Sequence, residues 1–168
     1  MGIGKLVLRL VIGSIFTVHG LQKLTGEFSG PGLAGTEKMM EATRMYPVRR
    51  NALFVSLGEA LSGLGIMLGV VTPLAVGVAT AMMATAVRKV HGKNGFANSK
   101  GGYEFNVTLV AASNPVFMLI IGALFFGQRI ARHQVLGLFW GVMAVVGGIV
   151  ASSFAIEAGA DAAPKSAG

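Results

Sequence analysis

Five long apolar runs dominate the sequence, at about 6–24, 52–71, 73–90, 105–126 and 134–156. A helix needs about 17–25 residues to cross a bilayer, and each run has roughly that length. Pro73 is placed to begin the third run as a helix, since proline is favoured in the first turn. Pro115 is expected to kink the fourth. The runs therefore predict an all-α integral membrane protein.

The composition favours lipid as the solvent of this chain. Hydrophobic residues make up 53% of its 168 residues and charged residues only 12%, which is about half the charged fraction of a soluble domain. A chain this short has too little interior to keep so many apolar residues away from water. It has no cysteine, which excludes disulfides, thiolate metal sites, iron–sulfur clusters and a cysteine nucleophile.

The net charge of +7 is concentrated at the ends of the apolar runs and in the links between them. That placement is typical of charges beside anionic lipid headgroups, and no basic motif interleaved with aromatic residues points to nucleic acid. Ten of the 14 Lys and Arg residues fall in links one–two and three–four and in the C-terminal tail. We therefore expect these links in the cytoplasm, with the N-terminus on the outer side of the membrane.

The link between the first two runs is glycine-rich at first and then amphipathic. We expect Thr36 to cap a short helix in this link. Its methionines Met39, Met40 and Met45 are expected to lie on the membrane surface.

Antiparallel threading of the spans would bring several polar side chains to one side of the membrane. The end of span one, the start of span two, the end of span three and the start of span four share that side. Ionisable groups are informative there, because burying one in hydrocarbon costs a few kcal/mol on insertion scales. We call this set the polar layer; its members are His19, Lys23, Glu59, Arg88, His91, Tyr103 and Glu104.

Glu59 is the deepest member of the polar layer, about seven residues and roughly 10 Å into the second span. A carboxylate at that depth should face the bundle and pair with a cation. Lys23, Arg88 or either histidine of the layer is in range. Small residues at steps of three and four on the same helix would let neighbouring helices approach closely. They are Gly58, Ser62, Gly65 and Gly69.

More than one kind of chemistry is compatible with the polar layer. A half-buried group of His, Glu, Lys and Tyr at the membrane edge suits hydrogen bonding to a quinone carbonyl and proton exchange with it. His19 and His91 lie at comparable heights, as a bis-His haem requires, but the pattern favours quinone over haem. Both histidines with Glu59 could ligate a metal, yet their spacing matches no metal motif, so we expect none.

A structural interpretation of the same residues stays open. Glu59 could serve only as an ion-pair partner that holds the bundle together. Lys23 and Arg88 would then be interfacial anchors.

Four separate pieces of the sequence resemble a known family in their order and spacing, over about residues 5–112. The pieces are His19-Gly20-Leu21-Gln22-Lys23-Leu24, Gly58-Glu59 with the glycine-rich stretch to Thr72-Pro73, His91-x-x-x-Gly95-Phe96 and Gly101-Gly102-Tyr103-Glu104. They resemble the DoxX family of small bacterial membrane proteins, which is related to the large subunit of thiosulfate:quinone oxidoreductase. The resemblance implies a compact four-helix membrane bundle and a role in quinone-linked redox metabolism or oxidative-stress complexes.

The chain departs from the family pattern after the fourth span. We expect a DoxX-like four-helix membrane domain over residues 1–126 and an additional transmembrane helix within residues 127–156. A disordered tail is expected over residues 157–168, because that segment is polar and rich in Ala and Gly.

The function predicted from the sequence is that of a membrane subunit of a redox complex that binds quinone at the polar layer. Glu59 and His91 would exchange protons, and Lys23 and Arg88 would hold Glu59 ionised. Tyr103 would donate a hydrogen bond, with His19 and Glu104 also contributing to binding. If the chain is an enzyme, we expect it to be an oxidoreductase subunit that acts on quinone. It would assemble with a redox partner subunit or with a second copy of itself. A non-enzymatic scaffold and a small transporter are the rival hypotheses.

Overall fold

The structure, a computed structural model, describes residues 3–113 and 132–164, and all regular elements in these two ranges are helical. The α-helices in them are α1 (Ile3–Thr25), α2 (Gly32–Ala42), α3 (Val48–Leu68), α4 (Thr72–Ala86), α5 (Glu104–Ser113) and α6 (Arg132–Asp161). A π-helical turn over Val87–His91 continues α4. The prediction of an all-α fold is confirmed.

Four helical segments of the described ranges are long and apolar enough to cross a membrane. They are Leu6–Thr25, Val48–Leu68, Thr72–Asn94 and Phe139–Asp161. These segments correspond to the first, second, third and fifth apolar runs of the sequence, as a multi-pass membrane protein requires. Helix α5 begins the fourth predicted span; the remainder of that span, with Pro115, lies outside the described residues.

Two helix boundaries differ from the predicted ones for local reasons. Helix α3 begins at Val48, four residues before the apolar run, because Pro47 immediately precedes it and starts the helix early. Helix α6 continues to Asp161 through alanine-rich sequence, which has high helix propensity. The first residues of the predicted disordered tail are therefore helical. Residues 165–168 of that tail lie outside the described residues.

Helices α1 and α3 pack against each other through glycines. A Cβ atom at Gly13 would lie 2.7 Å from the carbonyl oxygen of Gly63, and one at Gly20 would lie 2.6 Å from the carbonyl oxygen of Ser56. Of the predicted small-residue stripe on α3, Gly65 is closely packed instead against α4, where its Cβ would lie 2.9 Å from that of Ala75. Two faces of α3 thus carry close helix contacts.

The hydrophobic core lies between α1, α3, α4 and α5. Its largest buried members include Phe16 on α1, Val76 and Met83 on α4, and Leu109 on α5. Helix α4 also packs along α6, so that α4 is flanked by α3 on one side and α6 on the other. This arrangement brings the C-terminal half of α1 and the first half of α3 close to the end of α4.

The expectations for helix α2 were wrong in two respects. Thr36 does not cap this helix, which begins after Pro31; its hydroxyl is buried and donates to the carbonyl oxygen of Gly32 at 2.9 Å. Met40 and Met45 do not lie on the membrane surface, because both are buried with Ala52 of α3. Helix α2 folds back onto α1 and α3, and this contact buries the methionines.

Candidate functional site

A buried ion pair lies at the centre of the candidate site. The ammonium Nζ of Lys23, in the last turn of α1, is paired with the carboxylate oxygen Oε2 of Glu59 on α3. The side chain of Glu59 is 2% exposed and that of Lys23 is 21% exposed. The prediction that Glu59 faces the bundle and pairs with a cation is confirmed, and Lys23 is that cation.

A cavity of about 390 Å³ opens beside this ion pair. Six helices contribute to its walls: α1, α2, α3, α4 with the π-helical turn, α5, and α6 through Ala155. Its polar lining includes His19, Lys23, Glu59 and His91, all members of the polar layer. The apolar lining includes Met39, Met40, Met45, Phe54, Val55, Met82, Met83, Phe105 and Leu109. A mostly apolar cavity of this size with a few convergent polar groups is typical of small-molecule sites.

The two histidines reach the cavity from different helices. His19 is half-buried on α1, and its ring lies 5.9 Å from the ring of Phe105 on α5, centroid to centroid. His91 ends the π-helical turn, and its Nδ1 lies 2.8 Å from the carbonyl oxygen of Gly101. His19 therefore packs against an aromatic side chain of the lining, whereas His91 is held by the loop that leads into α5.

The structure places Arg88 away from Glu59. Its guanidinium donates a hydrogen bond to the hydroxyl of Ser153 on α6, at 2.6 Å, and it does not line the cavity of the ion pair. Arg88 and His91 are three residues apart, a spacing that would place them on one face of an α-helix. The π-helical turn, with its wider spacing of hydrogen bonds, separates their directions.

Tyr103 and Glu104 also lie outside the lining of the cavity. The ring of Tyr103 packs edge-on against that of Phe96, with centroids 5.6 Å apart. A carboxylate oxygen of Glu104 accepts the backbone N–H of Asn98 at 3.0 Å. Both side chains thus stabilise the loop before α5, and Asn98, the partner of Glu104 in this loop, lines the cavity.

Sequence reasoning missed the apolar half of the site. Met39 and Met40 of α2 and Met45, just after it, line the cavity together with Phe54 of α3, although we expected these methionines at the membrane surface. The signal available in the sequence was the cluster of methionines in a link otherwise poor in large apolar residues. Within the described ranges, no three His, Asp or Glu side chains converge as metal ligands would.

Comparison with known proteins identifies the family. The model of the DoxX family matches residues 4–92, which is more than half of the chain and includes α1 to α4, the ion pair and His91. No curated protein and no solved structure matches the sequence. The matched segment also holds two of the four pieces on which the resemblance rested, and His91 of the third. The chain belongs to the DoxX family.

Proposed function

We propose that the cavity binds the head group of a quinone, and that the chain is a membrane subunit of a quinone-linked redox or oxidative-stress complex in a bacterial inner membrane. The observation that carries this proposal is the position of the Lys23–Glu59 pair on the wall of an apolar cavity. A buried ion pair is costly to desolvate and contributes little to stability compared with apolar packing. Its presence beside a cavity therefore favours a role in binding.

The lining of the cavity suits a flat, mostly apolar ring that carries polar oxygens. Phe54, Phe105 and the methionines supply contact surface for the ring. The ammonium of Lys23 has three N–H donors, so after pairing with Glu59 it can still donate to an oxygen of the ligand. The half-buried His19 lies one helical turn before Lys23 and lines the same wall.

Reduction of a quinone to a quinol consumes two electrons and two protons. In this proposal Glu59 and His91 exchange the protons, because a carboxylate and an imidazole can both accept and return one. The electrons pass to or from a partner subunit of the complex.

A structural role is the second candidate, and one observation favours it. Lys23 contacts Glu59 of α3 through its ammonium and Thr36 of α2 through its backbone carbonyl. The residue therefore joins three helices. A scaffold protein without a ligand would need this contact as much as a quinone-binding subunit would.

Titration of decylubiquinone into the purified full chain in detergent separates the two functions. Glu59→Gln keeps the size of the side chain and removes its charge. We expect this variant to fold and to bind the quinone at least tenfold more weakly, a loss of about 1.4 kcal/mol. The matched control is Glu37→Gln, which removes a carboxylate outside the cavity, and it should bind like the unmutated chain.

Thermal unfolding of the same preparations completes the test. If the unmutated chain does not bind the quinone while Glu59→Gln lowers its stability, the redox proposal is wrong and the ion pair is a structural clasp. Equal binding by the unmutated chain and Glu59→Gln would show that the quinone does not use this cavity.

A further inference from the structure

His91 is held in one tautomer by the loop that follows it. Its Nδ1 lies 2.8 Å from the carbonyl oxygen of Gly101, and a carbonyl oxygen can only accept a hydrogen bond. Nδ1 must therefore carry the proton. In the neutral imidazole the other nitrogen, Nε2, is then an acceptor without a proton.

The loop is built to keep the carbonyl of Gly101 in this position. Its backbone is closed by hydrogen bonds from Tyr103 N–H to the carbonyl of Gly95 at 3.1 Å and from Glu104 N–H to that of Phe96 at 2.9 Å. Gly101 adopts a positive φ of 75°, a conformation that side chains other than glycine rarely take. The amide of Asn94 also donates to the Gly101 carbonyl, at 3.1 Å.

Nε2 of His91 has no hydrogen-bond partner among the described residues, and His91 lines the cavity. An occupant that covers the ring displaces water from Nε2, and the nitrogen then needs a donor from the occupant. A quinone offers acceptors alone, whereas a quinol offers hydroxyl donors.

We infer that the cavity selects the reduced, hydroxyl-bearing form of the ligand, and that Nε2 of His91 accepts a hydrogen bond from its hydroxyl. This inference rests on the proposed function and adds the redox form of the substrate and the direction of the bond. A bound quinone would leave Nε2 of His91 without a hydrogen-bond donor. This loss corresponds to a preference of about tenfold for the quinol.

The test compares ubiquinol-1 and ubiquinone-1, each titrated anaerobically by calorimetry into the full chain in detergent. We expect the quinol to bind about tenfold more tightly. His91→Asn keeps an amide N–H that can donate to the Gly101 carbonyl but lacks Nε2, so the preference should disappear. Lys93→Gln, an exposed change in the next turn outside the cavity, should retain it.

A spectroscopic readout tests the tautomer without any ligand. Long-range proton–nitrogen correlation spectra of histidine-labelled protein should show the Nδ1–H form for the signal that is lost in His91→Asn. An Nε2–H form at His91 overturns the inference, as does equal or tighter binding of the quinone. If neither molecule binds, the proposed function fails and takes the inference with it; if both bind equally, only the inference fails.

Discussion

The hydroxyl of Thr36, whose single proton is shared with the carbonyl oxygen of Gly32, donates a hydrogen bond to the backbone carbonyl oxygen of Lys23, at 3.0 Å. This carbonyl belongs to the last turn of α1, where the helix itself supplies no donor. Helix α2 therefore satisfies the end of α1 at the residue that carries the buried ion pair. The position of the Lys23 ammonium therefore depends on the packing of α2 against the end of α1.

Replacing Thr36 by Val should destabilise the protein by about 1–3 kcal/mol. The reason is that the carbonyl oxygen of Lys23 loses the hydrogen bond from the buried hydroxyl of Thr36. Thermal unfolding in detergent measures the change. Thr36→Ser retains the hydroxyl and should recover most of the loss. Thr25→Val, at an exposed threonine of the same region, should change stability by less than about 0.5 kcal/mol. Equal effects at Thr36 and Thr25 would contradict the role of the bond.

A double-mutant cycle measures the coupling of Lys23 and Glu59. Lys23→Met alone should cost about 3–5 kcal/mol, because it leaves the carboxylate of Glu59 buried without its partner. Combining it with Glu59→Gln should cost less than the sum of the two single changes.

The exposed pair Arg49–Glu37, joined at 3.2 Å, provides the matched cycle. Its side chains are 75% and 29% exposed, so its coupling should stay below about 1 kcal/mol. Additive effects at Lys23 and Glu59 would show that burial does not strengthen their interaction.

Gly20→Ala should destabilise the contact of α1 and α3, because the added Cβ would meet the backbone of α3 at the carbonyl oxygen of Ser56, 2.6 Å away. We expect a loss of about 1–3 kcal/mol. Gly147→Ala on α6 is the control, since nothing lies within 4 Å of its added Cβ. That change should be neutral or stabilising by up to about 1 kcal/mol through helix propensity. Thermal unfolding of both variants decides between these outcomes.

Membrane orientation can be tested by cysteine labelling, because the chain has no cysteine of its own. Ser29→Cys and Ser99→Cys should be shielded from an impermeant maleimide in intact cells if Lys and Arg residues set the topology. Val70→Cys, in the exposed link between α3 and α4, should be labelled. The opposite labelling pattern would place the cavity at the outer side of the membrane.

The sequence allowed the membrane helices and a cationic partner for Glu59 to be predicted for a simple physical reason. The lengths of the apolar runs determine which segments cross the membrane as helices. Antiparallel threading then determines which helix ends lie on the same side of the membrane. Both arguments concern height along the membrane normal. Neither argument fixes the direction in which a side chain points around its helix. The height of Arg88, Tyr103 and Glu104 in the membrane could therefore be predicted, but the residues that they contact could not.

The contributions of α2 and of the π-helical turn could not be predicted. The methionines of α2 are buried by a chain reversal over residues 26–31, which is a tertiary contact without a periodic signal in the sequence. The π-helical turn at Val87–His91 changes the angular spacing of side chains, and ordinary helical residues occupy it. Arg88, within this turn, contacts Ser153 of α6.

Five methionines, Met39, Met40, Met45, Met82 and Met83, form much of the cavity wall. Methionine has three rotatable bonds and a polarisable sulfur, so a wall made of it adapts its outline to what it touches. The apolar wall can therefore follow rings with different substituents without movement of the backbone. Discrimination between ligands then falls to the few polar atoms of the cavity, and a change in ring width should matter less for affinity than a change in one oxygen.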